Sequence, residues 1–370
     1  MRLSPAGLLV LLTPLPVLAA GGGVRPPPRF TATEIFSFPP SNPVFIENLL
    51  VLPDDCILLS NFVSFSPPKI GAAVHVLDPS TSPPAVQVIA TLVNATSQTG
   101  LAKLPSSPPG SGSSANKRYA IAAGILGDNF EFVNNTAAIY ILDFASTTAA
   151  TVEDVIPVPG VLNLNGLVSL PFPGRQHILL AADSRGGRII KIDTDTKQAS
   201  VAFSDVLMSG DPENVEGSLG ITGVNGLYIT QAGWLYFTNT ARGLLGKVKV
   251  DGNGNKVGAV QVVREITSPQ QQPIGFANAL DDLIVDRKGD AYIAWQDASL
   301  VRVYRENRFG GTTGQEIILG PGGVSGDNEG IVLKTPTAVA LGNSGKEIYV
   351  ATGGIDGGNL TGGQVVRVSI

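Results

Sequence analysis

Between Gly220 and Asp251 the chain alternates short apolar runs with Gly, Asn and Asp in a rhythm that predicts one small antiparallel sheet. Asn225-Gly-Leu-Tyr-Ile-Thr reads as a strand, Gln231-Ala-Gly as a turn, Trp234-Leu-Tyr-Phe-Thr as a second strand and Leu245-Gly-Lys-Val-Lys-Val as a third. Aromatic and β-branched residues fill the runs. The punctuating residues are those that accept positive φ or form Asx hydrogen bonds. Asp251-Gly-Asn-Gly is expected to end the unit.

The same pattern recurs along the chain. Glu47-Asn-Leu-Leu-Val-Leu leads to Cys56-Ile-Leu-Leu-Ser and Ala73-Val-His-Val-Leu-Asp, and Thr99-Gly-Leu-Ala-Lys-Leu to Tyr119-Ala-Ile-Ala-Ala and Ala138-Ile-Tyr-Ile-Leu-Asp. Asn165-Gly-Leu-Val-Ser-Leu is followed by His177-Ile-Leu-Leu-Ala-Ala and Arg188-Ile-Ile-Lys-Ile-Asp. Leu280-Asp-Asp-Leu-Ile-Val precedes Ala291-Tyr-Ile-Ala-Trp and Ser299-Leu-Val-Arg-Val-Tyr, and Thr337-Ala-Val-Ala-Leu precedes Glu347-Ile-Tyr-Val-Ala and Gln364-Val-Val-Arg-Val. These units, spaced by roughly 55 to 65 residues, predict an all-β, six-bladed β-propeller with four-stranded antiparallel blades. Phe30-Thr-Ala-Thr-Glu-Ile-Phe-Ser-Phe alternates like an edge strand and is expected to complete the last blade, joining the two ends of the chain.

Composition sharpens this picture. With 44 Gly, 27 Pro and only 15% charged residues, the chain suits many short strands and tight turns. Residues 1–20 read as a signal peptide, with Arg2, an apolar run from Gly7 to Ala20 and small residues at the cleavage site; residues 21–29 form a Gly/Pro lead-in and residues 30–370 a single domain. No later run approaches the length of a membrane span. Sequons at Asn94, Asn134 and Asn359 fit entry to the secretory pathway, with the protein secreted or held in a lumen of that pathway. Cys56 is the only cysteine, so an internal disulfide is excluded, and its apolar neighbours mark it as a buried hydrophobe. A net charge of −5 without a basic run argues against nucleic acid and anionic membrane partners. A monomer or weak oligomer is expected.

Candidate chemistry is sparse. Only His75 and His177 exist, which excludes an HExxH zinc site, and no GxSxG elbow, P-loop or helix-opening GxGxxG occurs. What does converge is the start of each unit's first strand. In a propeller these positions ring one mouth of a central channel, bringing together Glu47, Asn48, Thr99, Asn165, Asn225, Asp281, Asp282 and Thr335 or Thr337. Carboxylates and amide oxygens there would suit Ca²⁺ or another divalent cation, or would simply cap turns. Long loops at Ser209–Ser218, Ser268–Asn278 and Gly320–Gly330 precede innermost strands and are placed to crowd the same mouth.

The segments Phe45-Ile-Glu-Asn-Leu, Val224-Asn-Gly-Leu-Tyr with Trp234-Leu-Tyr-Phe-Thr-Asn-Thr, and Leu280-Asp-Asp-Leu-Ile-Val-Asp-Arg-Lys-Gly-Asp-Ala-Tyr-Ile-Ala resemble the SMP-30/gluconolactonase/LRE-like propellers over nearly the whole mature chain. The resemblance implies a metal held at Glu47, Asn225 and Asp281. The chain departs from the lactonases where Asn-Leu follows Glu47 and where Asp282, rather than Gly, follows Asp281. The leader, the sequons and the Glu-Asn-Leu start look more like a fungal branch that includes the hetero-Diels-Alderases of tropolone-sesquiterpenoid biosynthesis. That resemblance implies a pericyclase acting on apolar small molecules without a required cofactor, with Glu47, Asn225 and Asp281 catalytic. Asn48, Asn165, Asp282, Phe276 and Trp295 would contact substrate. The alternatives are a metal-dependent lactonase or esterase, with Asp281 or Asp282 as base, and a non-catalytic binding propeller.

Overall fold

Strands of five to ten residues, apolar on both faces near the axis and on one face at the rim, can be buried only if sheets stack face to face. The computed structural model shows this arrangement. It describes residues 30–62, 72–106, 117–127, 131–146, 148–213, 220–266, 279–296, 299–305, 313–320 and 331–370. The leader at 1–20, the lead-in at 21–29, Phe276 and most of the long loops lie outside the described residues.

Strand β1 (Thr31–Ser37) opens the chain, and blade one follows as β2 (Ile46–Val51), β3 (Ile57–Asn61), β4 (Ala72–Asp78) and β5 (Ala85–Leu92). Blade two is β6 (Ser97–Leu104), β7 (Lys117–Gly124), β8 (Ala138–Ser146) and β9 (Ala149–Pro157); blade three is β10 (Leu164–Ser169), β11 (Ile178–Asp183), β12 (Arg188–Asp193) and β13 (Gln198–Ser204). Blade four is β14 (Val224–Ile229), β15 (Trp234–Asn239), β16 (Leu244–Val250) and β17 (Lys256–Glu265). Blade five is β18 (Leu280–Val285), β19 (Ala291–Trp295), β20 (Ser299–Arg305) and β21 (Thr313–Leu319). The last blade takes β22 (Pro336–Leu341), β23 (Glu347–Thr352), then, beyond the hairpin β24 (Ile355–Asp356) and β25 (Asn359–Leu360), β26 (Gln364–Ser369). Its fourth strand is β1, paired antiparallel to β26 from Thr31 opposite Ser369 to Ser37 opposite Gln364. The chain ends therefore lock one another, as the alternation after Phe30 predicts.

First strands pack against first strands around the axis: β2 touches β6, β6 touches β10, and so on through β14, β18 and β22 back to β2. Each of the six blade interfaces has its own apolar core. Between blades one and two, for example, Leu58, Val74 and Val76 meet Tyr119, Ile121 and Leu142. Each fully buried Leu, Ile or Val contributes about 1.5–3 kcal/mol relative to exposure. His75 serves this scaffold: it is buried in β4, where its Nδ1 faces Asn61 Nδ2 at 2.7 Å and its ring meets Phe38 edge-on. Burial lowers its pKa to about 4, although the backbone of Ala73 opposes the shift. Cys56 is buried as expected, and that burial, with nearby acids, pushes its thiol up to about 11.

One expectation is corrected. Asp251-Gly-Asn-Gly does not end its unit; Asp251 Oδ1 accepts from the backbone N–H of Asn253 (2.8 Å) and Asn255 (2.9 Å), and the turn so formed leads directly into β17.

Candidate functional site at the propeller mouth

All six first strands carry a break in register at the same place. The pairing skips between Ile46 and Asn48, Gln98 and Leu101, Leu164 and Leu167, Val224 and Leu227, Leu280 and Leu283, and Pro336 and Ala338. An extra residue in one strand bends it and re-aims its side chains. The residues in these breaks include Glu47, Thr99, Asn165, Asn225, Asp281 and Thr337, all buried. Thus the polar positions spaced by whole blades in sequence occupy one level of the ring.

Close approach of the first strands is built in at glycine. A Cβ on Gly166 would lie 2.5 Å from Leu227 N, and one on Gly226 would lie 2.4 Å from Asp282 Oδ1. Side chains then bridge the blades. Asn48 Nδ2 donates to Asp282 Oδ2 at 2.7 Å, linking blade one to blade five past the intervening sixth blade. Each of the two partners also accepts from the backbone N–H of the next residue, Leu49 and Leu283. Thr99 and Thr337 take a different role: their hydroxyls donate to Leu164 O and Ile46 O, both at 2.8 Å, and clamp neighbouring first strands. Thr335 donates to Ile355 O at 3.2 Å, outside the ring of first-strand breaks.

The acids gather in one arc. Glu47, Asp281 and Asp282 are close enough to influence one another's ionisation, and none forms an ion pair among the described residues. Burial, reinforced by the charges of Asp281 and Asp282, holds the Glu47 carboxyl well above the usual carboxylate range. Burial also pushes Asp281 to about 8, with hydrogen bonds from Gln296 and Asn225 opposing the shift and Asp282 adding to it. Asp282 rises to about 6 through burial, opposed by hydrogen bonds from Leu283 and Asn48. Glu47 and Asp281 in this condition carry protons near neutral pH and can donate them or hydrogen-bond through them, whereas Asp282 is mostly ionised there.

Asn225 lies beside this arc. Its Nδ2 donates to Thr240 Oγ1 at 2.9 Å, and Thr240 in turn donates to Leu280 O at 2.8 Å. Asn225 Oδ1 is buried without a hydrogen-bond partner. Gln296 Nε2 donates to Asp281 Oδ2 at 2.8 Å and so orients that carboxyl. Sequence reasoning missed both Thr240 and Gln296. Their signal is a repeat position: Ser184, Thr240 and Gln296 each follow a second strand, and each backbone N–H returns to the residue that precedes or opens the first strand, at Asn163, Gly223 and Ala279.

Trp295 stands opposite Leu280 at the edge of the arc, fully buried against the core between blades four and five with Leu245, Leu280 and Ile293. Its ring is committed to blade packing. Among the described residues no group of three His, Cys, Asp or Glu side chains has the arrangement to hold a metal ion. A mixed donor set is different: the orphaned Oδ1 of Asn225, with Glu47 and Asp281 in the same arc, offers the hard oxygen atoms that a divalent cation takes.

No family model matches the chain, and no curated protein matches it significantly. Solved structures do. A luciferin-regenerating enzyme superposes with a TM-score of 0.57 at 13% identity, covering 92% of this chain and 95% of that one. Regucalcin from Agrobacterium tumefaciens, a calcium-binding protein, gives 0.54 at 15% identity over 92% and 94%. A PQQ-bound aldose sugar dehydrogenase from Streptomyces coelicolor gives 0.54 at 13% over 93% and 99%. What these structures share with the chain is the fold, a β-propeller.

Proposed function

We propose that this chain is a small-molecule enzyme of the hetero-Diels-Alderase type, with its chemistry at the mouth where the six strand breaks meet. The observation that carries this reading is the convergence of Glu47, Asp281 and Asp282 from blades one and five with amides but without a salt-bridged cation among the described residues. Such a site handles neutral organic molecules by proton donation and hydrogen bonding. The propeller enzymes among its structural neighbours agree with the broader assignment.

In this reading Glu47 protonates a hydroxyl beside an enolic or phenolic ring, the C–O bond breaks and water leaves. The ring hydroxyl gives up its proton, the Glu47 carboxylate takes it back, and a neutral quinone methide remains. A terpene alkene held alongside then adds across the heterodiene, forming one C–C and one C–O bond without further proton transfer. Holding the two partners together addresses most of the barrier, since oriented reactions reach effective molarities on the order of 10⁵ to 10⁸ M. Asn165 and protonated Asp281 are the donors available to the heterodiene oxygen, since the Asn225 amide already donates to Thr240 and Asp281; such a bond helps only as far as it strengthens in the transition state.

A second reading, a metal-dependent lactonase, is favoured by the partnerless Oδ1 of Asn225. Glu47, Asn225 and Asp281 would hold the cation, which would polarise a carbonyl and activate water. Purified protein incubated with tropolone and terpene precursors, with and without EDTA, separates the two. Cycloadduct formation that survives the chelator supports the pericyclase. Lactone hydrolysis abolished by the chelator, with no cycloadduct, overturns it.

A further inference from the structure

A cavity of about 290 Å³ lies between blades four and five, at the end of the ring opposite the mouth. Strand pairing places it there. At the mouth Leu280 opens β18 opposite Trp295, whereas Ala291, in the floor of the cavity, opens β19 opposite Val285 at the far end of β18. Leu245 and Val303 share the floor and belong to the same apolar core. Tyr236, packed against that core, lines the blade-four wall, and Lys247, Gln261 and Thr313 bring polar groups to the cavity.

The repeat explains why space is left at this interface. Counted from the strand breaks, the same position of each second strand turns towards the preceding blade and joins the core between the two. It is Ile57, Tyr119, Leu179, Leu235 and Ile348 in five of the blades, each 0% exposed. In blade five it is Ala291. A short side chain where its counterparts are long leaves apolar walls without a neighbour, and such a void takes up a ring-sized guest.

We propose that this cavity is a second binding site, for a neutral phenol of a single ring, and that it works independently of the chemistry assigned to the mouth. The polar atoms set the class of guest. Thr313 Oγ1 gives its proton to Val263 O at 3.1 Å, so it is left to accept, and Gln261, exposed at the rim, accepts through its amide oxygen. One hydroxyl on the guest therefore has acceptors. A sugar would set several hydroxyls against Leu245, Ala291 and Val303, each at a cost. Aromaticity is favoured by the blade-four wall, where Lys247 Nζ already stands 5.0 Å from the Trp234 ring centroid and 5.8 Å from that of Tyr236. A planar ring beside Tyr236 adds a further π face to this wall.

The test is a titration of the protein with phenol and with cyclohexanol, followed by ligand-observed NMR near neutral pH, where both probes are uncharged. Wild type is expected to bind phenol saturably and about three- to tenfold more tightly than cyclohexanol, the margin an aromatic contact supplies. Ala291→Leu restores the side-chain length of the other blades and is expected to weaken phenol by roughly tenfold or more while the protein stays folded. Ala291→Val fills less of the space and is expected to give a smaller loss, which keeps the test open if the Leu variant does not fold. Glu47→Gln is expected to leave phenol affinity unchanged, which separates this site from the mouth. Phenol affinity untouched by the Ala291 variants, lost in Glu47→Gln, or matched by cyclohexanol overturns the proposal, as does the absence of saturable binding.

Discussion

Blade five holds two sets of acids that look alike in sequence and behave oppositely in the fold. At the mouth, Asp281 and Asp282 are buried with amide partners, and both are pushed up by burial, to about 8 and about 6. Further out on the same blade, Asp290 and Glu316 grip Arg302, with Nη2 to Asp290 Oδ2 at 2.6 Å and Nη1 to Glu316 Oε1 at 2.7 Å. Burial alone would lower the Arg302 pKa, but these two hydrogen bonds outweigh it and hold the guanidinium above its ordinary value. The arginine also lies over the Tyr304 ring at 5.2 Å. One set is compensated and fastens strands β20 and β21 to the start of β19. The other is left uncompensated, and a buried acid without a counter-ion is a cost to stability that function can explain.

The contrast can be broken most sharply at Glu47. Glu47→Gln removes the proton donor while keeping shape, and should lower kcat by roughly 10²–10⁴ with the melting temperature preserved. Wild-type turnover in that variant would remove Glu47 from the chemistry. Asp281→Asn tests the energetic side. The folded pKa of Asp281, about 8, lies above its ordinary 3.8, so folding favours the protonated form; the stability this provides is complete below 3.8 and is lost as pH rises through 8. Replacement by the neutral amide should therefore raise the melting temperature by several degrees at pH near 8 and change it little in acid. A uniform loss at all pH values would show that the carboxyl is structural.

Asp290→Ala should give the opposite result, costing about 2 kcal/mol because Arg302 loses its doubly bonded partner, with turnover unchanged. Denaturant melts and a rate assay check both halves. The smallest effect concerns the sequons. Asn94, Asn134 and Asn359 are all exposed, in connections that sit at the mouth end of blades one, two and six. If the chain enters the secretory pathway as its sequence leads one to expect, enzymatic deglycosylation of the secreted protein should reduce its mass by three glycans and alter the rate by less than about twofold, because these Asn are exposed and outside the buried ring. An unchanged mass would contradict that route.

Much of this was legible in the chain itself. First and second strands are buried on both faces, so Leu-Ile-Val runs such as Cys56-Ile-Leu-Leu declared them, and repetition put Glu47, Asn165, Asn225 and Asp281 at equivalent positions. Fourth strands were harder. Residues of β17 such as Val257 and Val262 are exposed at the rim, and its sequence lacks the apolar signature of an inner strand. The partners of the site were hidden for another reason: Gln296 meets Asp281 and Asn48 meets Asp282 only because separate strands converge. Thr99 and Thr337 share the ring position but spend their hydroxyls on neighbouring backbone, which spacing alone could not distinguish. Trp295 shows the converse, an aromatic at the edge of the site whose bulk the core claims.

The central claim is that the mouth keeps carboxylic acids protonated where solvent would ionise them. Infrared difference spectra of chelator-treated protein, wild type minus Asp281→Asn, recorded across a pH titration, test it directly. The account predicts a protonated carboxyl stretch that persists through neutral pH and fades only near 8. A carboxylate band at Asp281 that grows in with its midpoint near the ordinary 3.8 would contradict it.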